Sequence, residues 1–84
     1  MTIEYTDIEI ALREILIELE VITPETILKA EMDIRLGLGM DEFQVIELTG
    51  SMEAEYDIQI DTDEAAQALT VGQFIELVKR NIEK

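Results

Sequence analysis

Eighty-four residues, 48% hydrophobic and 31% charged, carry enough apolar material for one small folded domain over residues 1–84 and too little chain for a deep catalytic cleft. Six Lys and Arg stand against twenty Asp and Glu, a net charge of −14 that repels nucleic acid and anionic membrane surfaces and favours basic protein partners. The absence of His and Cys removes disulfides, thiolate or imidazole metal sites and Ser-His-Asp chemistry, so no enzyme is expected, and self-repulsion favours a monomer.

The first residues carry Glu4, Asp7 and Glu9 where a signal peptide needs a basic start, which makes a cytoplasmic location the expectation. Thr6 and Glu9 have the spacing of a capping box, with Tyr5 and Ile10 as its staple, and predict a helix starting near Asp7. Ile8, Leu12, Ile15, Leu16 and Leu19 lie on one face of that helix, which should stop before Thr23-Pro24. Charged residues at 9, 13, 14, 18 and 20 interrupt it, so it is too polar to cross a bilayer. A long connection follows to Asp41, with a short helical turn expected near residues 24–30 and glycines at 37 and 39 ending regular structure.

Asp41 is an N-cap candidate for a second helix through about Ala54, with Phe43, Val45, Ile46, Leu48 and Met52 as its apolar positions. Phe43 is expected in the core, or with Met40 at the mouth of the bundle. Gly50 inside this helix suggests close packing against a neighbour. Tyr56, Ile58 and Ile60 alternate with polar residues but have no partner strand, and are read as an extended loop with inward anchors. Asp61 or Thr62 caps a short helix over residues 63–68. Thr70 and Gln73 form a second capping box, with Leu69 and Phe74 as staple, and Phe74, Ile75, Leu77, Val78 and Ile82 face the core from a last helix. Lys79, Arg80 and Lys84 sit at its C-terminal end, where the helix dipole favours cations. The expected fold is all-α: a bundle of three main helices and one short one, with a long loop between the first and second.

The run LGLGMDEFQVIEL from Leu36 to Leu48, continuing through Met52-Glu53-Ala54-Glu55-Tyr56-Asp57 to Ile60, resembles the acyl carrier protein family. Leu38-Gly39, Asp41, Ile46-Glu47-Leu48 and the acidic run to Asp57 stand in order and without a gap, and Leu69-Thr70-Val71-Gly72 matches the opening of the family's final helix. The resemblance implies a four-helix carrier fold and 4′-phosphopantetheine as the family cofactor, attached through a serine after the Asp of the motif. It also implies enzymes of fatty acid, lipid or polyketide-type biosynthesis as partners.

One departure bears on function. The attachment position, flanked by Gly39, Met40, Asp41 and Phe43, is Glu42, and a carboxylate cannot supply the hydroxyl that makes a stable phosphodiester. No covalent cofactor is therefore expected as the chain is written. Its only serine, Ser51, lies nine residues on, about 13 Å along the helix and half a turn round from the motif. Glu42 at the first turn of a helix would sit where a negative group is stabilised, either imitating the charge of a bound phosphate or merely solvated.

Residues 36 to 78 hold ten acids and no Lys or Arg. By resemblance, Glu42, Glu47, Glu53 and Asp57 are the candidates for docking on basic enzyme surfaces. Asp57, Asp61, Asp63 and Glu64 lack the spacing of a calcium loop, so no dedicated metal site is expected, only weak ion binding. Two functions remain open: a docking module that cannot be phosphopantetheinylated, or a genuine carrier of acyl thioesters whose serine has been substituted here or in a paralogue.

Overall fold

The computed structural model describes residues 3–83 and contains four helices: α1 (Tyr5–Glu18), α2 (Glu42–Tyr56), α3 (Thr62–Gln67) and α4 (Val71–Ile82). The expected all-helical architecture is present, with α1 packed on both α4 and α2, and α3 on α4. Ile8, Leu12 and Leu16 form the buried stripe of α1 at intervals of four, and Val45, Leu48 and Met52 that of α2. They meet Val71, Phe74, Ile75, Leu77 and Val78 of α4, which are all at most 1% exposed. Ile15 and Leu19, placed on the same face by their spacing, are half-buried against this core.

Several boundaries differ from expectation. Helix α1 begins at Tyr5, with Glu4 rather than Thr6 as its N-cap, because the short Asp7 side chain reaches back to accept the Glu4 N–H at 3.1 Å. Tyr5 is therefore inside the helix and Ile10 is left 53% exposed, so the Tyr5–Ile10 staple does not form; the staple positions fall on Ile3 and Ile8, which both join the core. Its end agrees with expectation: the helix stops at Glu18, before Thr23-Pro24, where Glu20 takes a left-handed φ of 61° and the Val21 N–H donates to the Leu16 carbonyl at 2.9 Å. Around Pro24 there is one turn, closed by the Thr26 N–H on the Thr23 carbonyl at 3.0 Å, and no helix over residues 24–30.

The long loop is held by hydrogen bonds to backbone. The Arg13 guanidinium donates to the carbonyls of Thr26, at 2.6 Å, and of Pro24, tying the loop to α1. Ile34 donates to the Leu69 carbonyl, Val71 to that of Met32 and Gly72 to that of Ala30, each at 2.9 Å, fastening it to the start of α4. Gly72 fits because a Cβ there would meet Ala30 Cβ at 3.1 Å and the Tyr5 hydroxyl at 3.3 Å.

The second capping box is present as read: Thr70 Oγ1 accepts from the Gln73 N–H at 3.2 Å, and Gln73 Oε1 accepts from the Thr70 N–H at 3.1 Å. Phe74 is fully buried while Leu69 stays 53% exposed. Lys79 and Arg80 occupy the last turn of α4, and Lys84 lies outside the described residues. Helix α3 is capped by Asp61, whose carboxylate accepts the N–H groups of Asp63 at 2.8 Å and Glu64 at 3.3 Å. The segment between α2 and α3 is an extended loop, with Ile60 buried and Ile58 half-buried; Tyr56 belongs to α2, which runs two residues past Ala54.

Gly50 overturns the packing expectation: it is exposed, and a Cβ there would meet nothing within 4 Å. Without a close approach to preserve, its only local effect is the entropic penalty of glycine in a helix. Gly50→Ala should raise unfolding stability by roughly 0.5–1 kcal/mol in urea titration, and a loss of stability would show that open space is absent at this position.

Candidate functional site

The motif sits where the long loop turns into α2. Asp33 ties the loop: its Oδ1 accepts the N–H groups of Arg35 at 2.9 Å and Leu36 at 2.7 Å, and its carbonyl those of Gly37 at 2.8 Å and Leu38 at 3.0 Å. Gly39 follows at φ +72°, a left-handed backbone that favours glycine, and turns the chain so that Met40 enters the core at 3% exposure. Asp41 then caps α2, accepting the Gln44 N–H at 2.8 Å, while Gln44 Oε1 accepts the Asp41 N–H at 3.0 Å. This reciprocal box fixes the helix start, and Glu42 as its first residue projects into solvent.

At about 100° per residue, Glu42, Phe43, Ile46, Glu47, Glu53 and Asp57 fall within an arc of about 140° on α2, while Val45, Leu48, Thr49 and Met52 face inward. The inward placement expected for Phe43 and Ile46 is therefore corrected: they are 72% and 57% exposed, because the core-facing stripe runs through Val45, Leu48 and Met52. Glu42 and Glu47 are exposed, and so is Asp57, which ends the helix in a left-handed conformation at φ 52°. Glu53 also serves the fold, since its half-buried carboxylate accepts the Ile60 N–H on Oε2 at 2.8 Å and holds the loop that leads to α3. Ser51 lies half a turn round from Glu42. The phenol of Tyr56 at the far end of α2 is raised above its ordinary pKa, by burial first and then by the carboxylates of Glu55 and Asp7.

Between α2 and α3 runs a cleft of about 400 Å³. Val45, Ile46, Gly50, Ile60, Ala65 and Ala66 give it apolar walls, and Arg35, Glu42 and Glu53 contribute charge. Neither Met40 nor Phe43, expected at a mouth of the bundle, lines it. Among the described residues no group of three or more Asp or Glu is positioned to hold a metal ion, and no helix is long and apolar enough to cross a membrane.

Sequence reasoning passed over three residues here. Gln44 was within reach, because Asp41-x-x-Gln44 has a capping spacing. Asp33, by contrast, acts through a turn, and Arg35 acts through its place beside a cleft formed by residues far along the chain.

Comparison with known proteins bears on the family of the chain. The family model described as phosphopantetheine attachment site matches residues 10–78. An acyl carrier protein of Wolinella succinogenes is 30% identical over 70 residues, covering 83% of this chain and 91% of the relative. One from Trieres chinensis is 36% identical over 52 residues (62% and 65%), and one from Desulforapulum autotrophicum is 42% identical over 43 (51% and 56%). The matched stretch thus spans somewhat less than two thirds of the Trieres relative and just over half of the Desulforapulum one.

The position of Glu42 has a measurable consequence. Its carboxylate lies in the first turn of α2, within the field of the helix's N-terminal N–H groups, whereas Glu47 carries the same charge mid-helix. Glu42→Gln should be less stable than Glu47→Gln by about 0.3–1 kcal/mol at low ionic strength, and the gap should close near 1 M salt, where screening acts over about 3 Å. Equal stability of the two variants at low salt would show that the helix terminus does not sense the charge.

Proposed function

The chain belongs to the acyl carrier protein family, whose members are carriers in biosynthesis rather than catalysts and use 4′-phosphopantetheine, and from that premise we propose that it is a docking module of the family that bears no prosthetic arm. The observation that carries this reading is Glu42, an exposed carboxylate on the first turn of α2 where the family chemistry requires a hydroxyl. A carboxylate does not fit the cofactor: it offers no alcohol to form the phosphodiester, and Ser51 stands on a different face. The carboxylate instead places a fixed negative charge near the position of the absent phosphate.

Docking rests on the outward arc of α2. Glu42, Glu47 and Asp57 present charge over about 22 Å of helix, and the exposed Phe43 and Ile46 between them supply apolar contact area. Glu53 contributes charge to the same surface while one of its oxygens serves the Ile60 N–H. The partners are enzymes of fatty acid, lipid or polyketide-type biosynthesis that have basic carrier-docking patches. Occupying such a patch without delivering cargo would make this chain a competitor of arm-bearing carriers.

Two experiments address this reading. Incubated with coenzyme A and a broad-specificity phosphopantetheinyl transferase, the parent should keep its intact mass and Glu42→Ser should gain one phosphopantetheine; a mass gain by the parent would refute the armless reading. Binding of the parent to the same transferase should weaken steeply between low and moderate salt. Glu47→Gln should weaken it further by a few-fold, equivalent to about 0.2–1 kcal/mol for a rim charge pair. Salt-independent binding would remove the electrostatic basis of docking.

A further inference from the structure

The outward side of α1 is apolar where a surface helix is ordinarily polar. At about 100° per residue, Ile10 lies about 160° round from Leu12, the middle of the buried stripe, and Ile17 about 140° round from it. Ile10 is 53% exposed and Ile17 half-buried. The long loop runs antiparallel beside them: the Thr26 carbonyl is bonded to Arg13 of α1, and Ala30 shares the Gly72 seam with the Tyr5 hydroxyl. Ile27, between these two fastenings, is held alongside the turns of α1 from Tyr5 to Arg13, which include Ile10, and it is 75% exposed. A large apolar side chain on a loop pinned at both ends has little freedom left to lose on contact, which is what an interface anchor requires.

The charges around this face select its occupant. Along one edge of Ile10 and Ile17, Asp7, Glu14 and Glu18 fall within an arc of about 40° and over about 16 Å of helix. All three are exposed, and among the described residues none is in an ion pair, since the one pair joins Arg80 to Glu64. Glu25 and Glu31 flank Ile27 on the loop. Against these acids stand Arg13, whose guanidinium is taken by the carbonyls of Thr26 and Pro24, and Lys29. A second copy of the chain would bring like charges together here, and an anionic lipid surface is repelled by a net charge of −14. A helix with apolar residues on one face and Lys or Arg along one edge satisfies both the isoleucines and the acids. We propose that the outward face of α1, with Ile27, is a second docking surface, and that its occupant is an amphipathic helix of a partner protein with its cations along one edge. This goes beyond docking on α2: the two surfaces share no residue. Ile10 points away from the stripe of α1 that packs on α2 and α4, so both surfaces can be engaged at once.

The test is a titration of the full isotopically labelled chain, followed by amide chemical shifts, with a Leu/Lys peptide of about eighteen residues, roughly five helical turns, whose leucines form one stripe and whose lysines lie along one edge. A scrambled peptide of the same composition and a Leu/Glu counterpart run beside it. Saturable shifts at Ile10, Glu14, Ile17 and Ile27 are expected, with the patterned peptide bound about tenfold or more tighter than the scrambled one and the Leu/Glu peptide not bound. Ile10→Gln and Ile27→Gln should each weaken binding several-fold with the circular dichroism unchanged, as should Glu14→Gln and Glu18→Gln combined. Asp63→Asn, which removes one charge from α3, should change it less than about twofold. Equal binding of the scrambled peptide would reduce the effect to charge attraction and overturn the proposal. So would shifts centred on Phe43 and Glu47 of α2, or affinity indifferent to both isoleucine variants. Concentration-dependent shifts at Ile10 and Ile27 without peptide would give the face to a second copy instead. No enzyme is present in this titration, so its failure leaves docking on α2 untouched, and failure of the transferase to bind leaves this result standing.

Discussion

Twenty acids with six bases to answer them confine charge to the surface and leave the interior to hold together by apolar contact and backbone hydrogen bonding. Few of the bases are used to neutralise acids. Arg13 gives its guanidinium to two loop carbonyls, and Arg80 pairs with Glu64 only at 4.0 Å and with both side chains largely in water, a contact of little energetic weight. The negative field therefore reaches solvent almost undiminished. Stability must come from the interlocked stripes of α1, α2 and α4, where Ile8, Leu16, Met52, Phe74, Ile75 and Val78 are wholly buried.

This division explains what could be read in advance. Where a side chain bonds its own backbone three residues away, the spacing is written in the chain, and Asp41, Asp61 and Thr70 cap their helices as expected. The stripe of α1 was legible for the same reason, since a 3.6-residue period needs no knowledge of the partner. The start of α1 was not: two acceptors, Thr6 and Asp7, compete within four residues of Glu4, and the outcome depends on geometry. Phe43 has the hydrophobicity of a core residue but an outward angle on the helix, and a missing side chain such as that of Gly50 looks the same in sequence whether it makes room for a neighbour or for nothing.

Within the candidate site, the residues adjacent in sequence were found and those joined by tertiary structure were not. Gly39 to Phe43 could be read as one motif. The hydrogen bond from Ile60 to Glu53, seven residues apart, and the place of Arg35 on the same cleft as Ala65 and Ala66 arise only when the chain turns after α2 and α3 packs on α4. Glu53 shows that a carboxylate on an acidic helix need not be surplus charge. Here one of them closes the α2–α3 connection, and so shapes the cleft that Glu42 borders.

The seam at Gly72 carries a consequence for motion. Its N–H is bonded to Ala30 and a Cβ there would press on Ala30 and the Tyr5 hydroxyl, while Val71 and Leu69 on the same side bond Met32 and Ile34. Residues 30–34 and the first turn of α4 are thereby one cooperative unit: the loop cannot swing out residue by residue, because every detachment exposes the backbone of both partners. The Asp33 turn that aims Gly39 and Asp41 belongs to the same unit. Local opening at the base of α4 would then release the approach to α2 in a single step, so amide protection in the loop should rise and fall with that of a helix more than thirty residues further along the chain.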